Sequence, residues 1–146
     1  MIVRQVLKTK TADTVRVGPD DTLTAAAGAI AAARKGLAVV CDGEGALLGV
    51  ISVIDINRAV AEQGDRAPSM RVRDAMNPEV VVCGPEDSVE DGLELMTTHH
   101  LRHLPVVEGE VVLGRVTMAD LLKVRFEQAE MDVEEMRRYI FGVGYT

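Results

Sequence analysis

Two short segments place a hydroxyl residue and an aspartate in the same order after an apolar strand-like run. A hydroxyl in the first turn of a helix can help the free N–H groups hold a phosphate, because that end of a helix is electropositive. A carboxylate one turn later can accept hydrogen bonds from both hydroxyls of a ribose. The pattern therefore suits a ribonucleoside phosphate. The segments are GVISVID (residues 49–55) and GRVTMAD (residues 114–120), which give Ser52 with Asp55 and Thr117 with Asp120.

The same spacing is also that of a helix capping box, in which the hydroxyl and the carboxylate satisfy backbone N–H groups of the first turn. For a single occurrence, capping is the stronger interpretation. Two occurrences favour binding, because each is preceded by a glycine, Gly49 or Gly114, that capping alone does not require. Capping remains the alternative for both pairs.

An internal repeat positions the two segments. VGPDDTLTAAAGAI, from Val17, aligns with CGPEDSVEDGLELM, from Cys83, at an offset of 66 residues. Apolar residues at i, i+3, i+4 and i+7 in both predict a helix with one buried face. Thr22 and Ser88 stand at the predicted N-caps, and Ser88 with Asp91 forms a capping-box pattern.

Each predicted helix is followed by a β-hairpin and a second helix that begins near the hydroxyl residue. Each copy therefore reads as strand, helix, strand, strand, helix, over about sixty residues, which is too small to bury a comfortable core alone. We predict an α+β fold in which two β-α-β-β-α repeats pack with pseudo-two-fold symmetry. The predicted divisions are residues 1–66, residues 67–125 and a C-terminal helical extension with its tail, residues 126–146.

The C-terminal segment carries apolar residues at alternating steps of four and three, the a/d pattern of a helix that packs along a seam. We expect a helix over about residues 117–141 that protrudes and packs on a second subunit, which predicts a homodimer. The alternative is a helix that folds back on its own domain. The stripe consists of Leu122, Phe126, Ala129, Val133, Met136 and Ile140.

Composition excludes several classes. The net charge is −7, and residues 67–146 carry eight basic against fifteen acidic residues, without the basic cluster that nucleic-acid binding needs. No run of eighteen apolar residues indicates a membrane span, and MIVRQVLKTK is not a signal-peptide pattern. We therefore predict a cytoplasmic protein with no nucleic-acid or membrane partner.

The sequence gives little indication of a catalytic or metal-binding site. Cys41 and Cys83 lie in apolar runs and are expected to be buried, reduced thiols. His99 and His103 have helical metal-ligand spacing, but they lie at a predicted helix-to-strand junction without a Glu or Cys partner. No nucleophile with a supporting base is recognisable, so we predict neither enzymatic activity nor a bound metal.

In order, these motifs resemble a tandem pair of CBS domains, also called a Bateman module. The resemblance covers about residues 1–125, because VGPDDTL…GLAVVCDGEGALLGVISVID is followed by CGPEDSV…RHLPVVEGEVVLGRVTMAD. It implies a stand-alone regulatory module that binds AMP, ADP or ATP, or else NAD or S-adenosylmethionine, in clefts between the repeats. AMP is the expected ligand, no catalytic cofactor is expected, and an effector protein is a further candidate partner. The alternative is a structural or oligomerisation module with degenerate clefts.

The resemblance also implies residue roles. Asp55 and Asp120 would bind ribose, and Ser52 and Thr117 would approach phosphate. Many family members carry an arginine directly before the motif aspartate, where this chain has Ile54 and Ala119. We assign the missing positive charge to Arg102 and His103, for which a surface location without a ligand is the alternative. The residues expected to enclose adenine are Asp13, Val15, Gly36 and Leu37 in one cleft, and Glu79 and Val81, with Arg102 and His103, in the other.

Overall fold

A computed structural model describes residues 1–9 and 14–142 of the chain. The helices are α1 (Val3–Thr9), α2 (Leu23–Ala33), α3 (Val53–Gln63), α4 (Val72–Ala75), α5 (Val89–Thr98) and α6 (Met118–Arg137). The strands are β1 (Arg16–Val17), β2 (Leu37–Cys41), β3 (Leu47–Ser52), β4 (His103–Glu108) and β5 (Val111–Thr117). A 3-10 helix, Gly64–Ser69, follows α3, and a π-helical turn, Arg138–Gly142, continues α6.

The predicted α+β architecture of two repeats is confirmed. In the first repeat, α2 is followed by the antiparallel β2–β3 hairpin and by α3, and β1 pairs in parallel with β2. In the second, α5 is followed by the antiparallel β4–β5 hairpin and by α6. The predicted N-caps also form, since the Thr22 and Ser88 side chains accept hydrogen bonds from Ala25 N and Asp91 N.

The second repeat differs from the prediction at its first strand. Within the described residues, the counterpart of β1 is reduced to a single parallel bridge between Cys83 and Val106. In the first repeat, Val39 N donates to Val15 O at 2.9 Å. The position equivalent to Val39 is Pro105, which has no N–H to donate, so the matching bond to Val81 cannot form.

Each repeat has its own core, and each core is completed by a helix that precedes the other repeat. Val3 and Val6 of α1 pack in the second core, with Val89 and Leu104 among others. Val72 of α4 packs in the first core. Backbone bonds fix both helices, for example Val3 N to Asp87 O at 2.9 Å and Val72 N to Asp21 O at 2.8 Å. This exchange ties the two halves into one folded body.

A third apolar cluster joins the two hairpins. Val39 and Cys41 of the first repeat are buried against Val112 of the second. Backbone hydrogen bonds reinforce this contact, from Leu47 N to Glu110 O at 3.0 Å and from Val112 N to Gly45 O at 3.1 Å. The space between the repeats is therefore bordered by a hydrogen-bonded seam.

Helix α6 extends beyond the body of its repeat, as its apolar stripe predicted. Leu121 is buried in the second core and Val124 is partly buried, whereas residues 125–142 are exposed. Phe126 is 65% exposed and Met136 is 63% exposed. Large apolar side chains on a protruding helix are typical of a surface that another molecule covers.

Candidate functional site

Both hydroxyl–aspartate pairs form complete capping boxes. At the start of α3, Asp55 N donates to Ser52 Oγ at 3.2 Å, and Ser52 N donates to Asp55 Oδ2 at 2.9 Å. At the start of α6, the corresponding distances for Thr117 and Asp120 are 3.1 and 2.8 Å. The capping alternative is thus realised in this structure, and any ligand role of these residues must coexist with it.

The capping carboxylate of the first repeat retains a second oxygen for other contacts. Asp55 Oδ1 lies 3.3 Å from Arg58 Nη1, and its side chain is 15% exposed. Arg58 is 60% exposed and its contact with Asp55 is long, so a competing partner could displace Arg58. The carboxylate can therefore accept a hydroxyl through Oδ1 while Oδ2 still caps the helix.

The glycine of each motif has a packing reason. A Cβ on Gly49 would lie 2.6 Å from Asn77 O, in the segment that enters the second repeat. That segment bridges to β3 through bonds from Val50 N to Asn77 O at 3.0 Å and from Asn77 N to Val50 O at 2.8 Å. A Cβ on Gly114 would meet the Leu7 side chain at 3.0 Å. Each glycine thus admits the close approach of a segment from outside its own hairpin.

One cleft with a volume of about 140 Å³ lies between the repeats. It brings together five of the predicted site residues, from both halves of the chain: Leu37, Glu79, Val81, Arg102 and His103. Val50, Asn77, Val80, Leu101 and Pro105 complete the lining. Its apolar lining with Glu79, Arg102 and His103 has the composition of a small-molecule site, and its volume accommodates part of a nucleotide rather than the whole molecule.

Strand register connects this cleft to the capping boxes. Leu37 is paired with Ser52 across the first hairpin, and His103 is paired with Thr117 across the second. Backbone bonds add to this, from Val53 N to Gly36 O at 3.0 Å and from Met118 N to Arg102 O at 2.8 Å. The hydroxyl residues thus begin their helices beside the cleft walls.

Other predicted residues lie elsewhere. Ser52, Asp55, Thr117 and Asp120 do not line the 140 Å³ cleft itself. Val15 packs in the core of the first repeat and is 9% exposed. Leu37 shares a cleft with Glu79 and Val81, although the sequence grouped it with Val15 and Gly36 at the other site. Asp13 lies outside the described residues.

Arg115 was missed by the sequence analysis. It is 4% exposed, on β5, one residue after the motif glycine. Burial has the larger effect on its guanidinium and lowers the pKa, while the nearby Asp120 carboxylate opposes that shift. A charged residue between the apolar neighbours of VVLGRVT, where the first repeat has Val50, was the available signal.

The two cysteines are buried and free, as predicted. Burial raises the pKa of the Cys83 thiol to about 12 and also raises the pKa of the Cys41 thiol. Neither thiol is therefore an activated nucleophile.

No cluster of three or more His, Cys, Asp or Glu side chains suited to a metal ion occurs within residues 1–9 and 14–142. His99 is the exposed C-cap residue of α5, whereas His103 is half-buried in β4 and lines the cleft. Over the same described ranges, no helix combines the length and apolar character that a bilayer crossing requires.

Comparison with known sequences identifies the class that this fold and site define. The sequence model of the CBS domain matches twice, at residues 3–62 and 72–127. The chain therefore belongs to the CBS domain family and carries a pair of these domains.

Several relatives of different length are similar to this pair of domains. The CBS domain-containing protein YhcV of Bacillus subtilis is 32% identical over 80% of this chain and 81% of its own length. The mitochondrial CBS domain-containing protein CBSX3 of Arabidopsis thaliana is 32% identical over 75% of this chain. Inosine-5'-monophosphate dehydrogenase of Methanocaldococcus jannaschii is 36% identical over 82% of this chain. The chain spans only 54% of the Arabidopsis protein and 23% of the dehydrogenase.

Solved structures show the same fold. A CBS-domain containing protein from Agrobacterium tumefaciens superposes with a TM-score of 0.74 at 35% identity, over 85% of this chain and 92% of that one. The CBS domain pair of the protein MJ0100, in complex with 5'-methylthioadenosine and S-adenosyl-L-methionine, superposes with a TM-score of 0.72 at 19% identity. That alignment covers 88% of this chain and 98% of the other, and it shows the likeness of fold alone.

Proposed function

We propose that this chain is a regulatory module that binds an adenosine-containing ligand between its repeats, with AMP as the first candidate. The observation that carries the proposal is the 140 Å³ cleft, which joins Leu37 of one repeat to Glu79 and His103 of the other. A ligand there would touch both halves of the chain. The structure of the MJ0100 pair with two adenosine compounds supports the choice of ligand class.

The roles proposed for individual residues follow from their positions around the cleft. Leu37 and Val81 supply apolar surface for a planar base, and the Glu79 carboxylate can accept a hydrogen bond from an exocyclic amine. The Arg102 guanidinium supplies positive charge to the same cleft, and the His103 imidazole can exchange a hydrogen bond with a ligand there. Ser52 with Asp55, and Thr117 with Asp120, would hold phosphate and ribose at the adjoining helix starts.

The helix starts give ligand binding a route to conformational change. Asp55 and Asp120 each accept a hydrogen bond from the N-cap backbone N–H of a helix, so a ribose bound through the other oxygen of either carboxylate would couple the ligand directly to the first turn of α3 or α6. A ligand shifts a conformational equilibrium only as far as its affinities for the two states differ. We propose that this shift, rather than catalysis, is the output of the module.

We further propose that a second copy of the chain packs on the exposed stripe of α6, which gives a homodimer. The division into residues 1–66, 67–125 and 126–146 then separates the two repeats from the dimerising extension. If the clefts bind nothing, this surface would be the main functional feature, and the chain would act as an oligomerisation module. The exposure of Phe126 and Met136 supports that second candidate.

Thermal unfolding with AMP, ADP, ATP, NAD and S-adenosylmethionine separates the two functions. A specific ligand at a hundredfold excess over its Kd stabilises the fold by about 2.7 kcal/mol. A rise in the melting temperature with at least one compound is the expected result. No rise with any of the five would reject the regulatory proposal in favour of the oligomerisation module.

The site assignment is tested by Asp120→Ala against Ser88→Ala as a matched control. Both variants remove a hydrogen bond at a helix start, of α6 and α5 respectively; Ser88→Ala should cost about 1 kcal/mol and Asp120→Ala more, because Asp120 also interacts with the buried Arg115 guanidinium. Only Asp120→Ala should also reduce the ligand-induced rise in melting temperature. Equal ligand-induced rises in the two variants would show that Asp120 is a cap alone.

A further inference from the structure

Arg115 lies on the face of the β4–β5 hairpin that is turned toward the first repeat. The register pairs Arg115 with Pro105 and Val116 with Leu104. Val116 and Leu104 belong to the core of the second repeat. Because side chains alternate between the faces of a strand, Arg115 and Pro105 lie on the opposite face. Pro105 lines the inter-repeat cleft, which fixes the direction of that face.

The first repeat has a valine at the equivalent position. Val50 is paired with Val39, as Arg115 is paired with Pro105, and Val50 also lines the cleft. The two halves therefore present an apolar side chain and a guanidinium at matching places. This is a difference in charge at the centre of an otherwise repeated pattern.

The burial of Arg115 between the repeats is unfavourable unless other groups compensate for it. It is 4% exposed, and a buried guanidinium loses hydration that only charged or hydrogen-bonding groups can replace. The Asp120 carboxylate is close enough to raise the pKa of Arg115 against the effect of burial. The guanidinium does not itself line the 140 Å³ cleft, but it interacts electrostatically with the carboxylate that we propose for ribose binding.

We propose that Arg115 determines specificity and makes the two sites unequal. The site beside Arg115, Thr117 and Asp120 selects the phosphorylated form of an adenosine ligand. The site beside Val50, Ser52 and Asp55 has a valine in place of that guanidinium and should discriminate less between AMP and adenosine. A guanidinium matches phosphate geometry through two parallel hydrogen bonds, which an apolar valine cannot supply. This inference rests on the proposed function of the clefts.

The test compares adenosine with AMP by calorimetry and by amide shifts at Ser52, Asp55, Thr117 and Asp120. In the native chain, AMP should bind the Asp120 site about tenfold or more tightly than adenosine does. Arg115→Met should lower the AMP affinity of that site to the level of adenosine, and Arg115→Lys should keep part of the preference. An unchanged ratio of AMP to adenosine affinity in Arg115→Met would overturn the inference.

Two further readouts keep the test decisive. If Arg115→Met does not fold, the side-chain Nε–Hε signal of Arg115 in the native chain decides, because AMP should shift it and adenosine should not. Equal shifts with both ligands would contradict the inference. Binding of neither AMP nor adenosine would overturn this inference, whereas the proposed function itself fails only if ADP, ATP, NAD and S-adenosylmethionine also do not bind.

Discussion

The two repeats share one plan, but three features differ in ways that change their physics. Where the first repeat has Val39 and a β1 strand, the second has Pro105 and an isolated bridge. Where the first has Val50, the second has the buried Arg115. The first repeat ends in α3, of 11 residues, and the second in α6, of 20 residues. The two repeats therefore keep the same order of helices and strands, but these three differences give them different stability and different chemistry.

The largest effect is expected from Val39→Pro, which copies the second repeat into the first. It removes the bond from Val39 N to Val15 O in a buried strand pair and should cost about 3 kcal/mol. Urea denaturation measures this change. The reverse exchange, Pro105→Val, should change stability far less, and a loss as large as that of Val39→Pro would contradict the comparison.

Substitution of the motif glycine should likewise destabilise the fold more in the first repeat than in the second. Gly49→Ala places a Cβ against the backbone oxygen of Asn77, which cannot move freely, and should cost about 2 to 3 kcal/mol. Gly114→Ala meets the end of the Leu7 side chain, which can rotate away, and should cost about 1 kcal/mol. Chemical denaturation of the two variants gives the comparison. Equal losses would show that both neighbours are equally rigid.

The capping boxes should be close to equivalent. Ser52→Ala and Thr117→Ala each remove the acceptor for the N–H of the third helical residue, and each should cost about 1 kcal/mol. Thermal unfolding measured without ligand checks this value. A loss several times larger at Thr117 than at Ser52 would show that α6 contributes more to the fold than the burial of Leu121 indicates.

The last prediction concerns the pH dependence of stability. The Cys83 thiol has a pKa of about 12 in the folded chain, above its ordinary value of 9.0. Its contribution to stability is therefore complete below pH 9 and is lost as the pH rises from 9 toward 12. Stability should fall less between about pH 8 and pH 10 in Cys83→Ala than in the native chain. Identical pH dependence would contradict the assigned shift.

Most elements of the fold could be predicted from local sequence patterns. The N-caps at Thr22 and Ser88, both hairpins and the length of α6 follow from periodicity and turn residues near each element. The exchange of α1 and α4 between the two cores did not follow, because it depends on contacts between residues far apart in the chain. Pro105 was the sequence signal for the loss of the first strand in the second repeat.

The sequence prediction named five of the ten residues that line the 140 Å³ cleft. Leu37, Glu79, Val81, Arg102 and His103 do line one cleft, although the sequence divided them between two sites. Which residues face each other across the repeats depends on how the halves pack, which spacing along the chain does not determine. The buried position of Arg115 was missed for the same reason, since a charged strand residue is usually expected at the surface.

The central claim is that the space between the repeats binds an adenosine ligand. Its most direct test is an NMR titration of the native chain with AMP, followed through backbone amide shifts. The account predicts saturable shifts concentrated at Leu37, Glu79, His103 and the two capping boxes. Shifts confined to α6, or no saturable shifts with AMP or with any of the other four compounds, would contradict it.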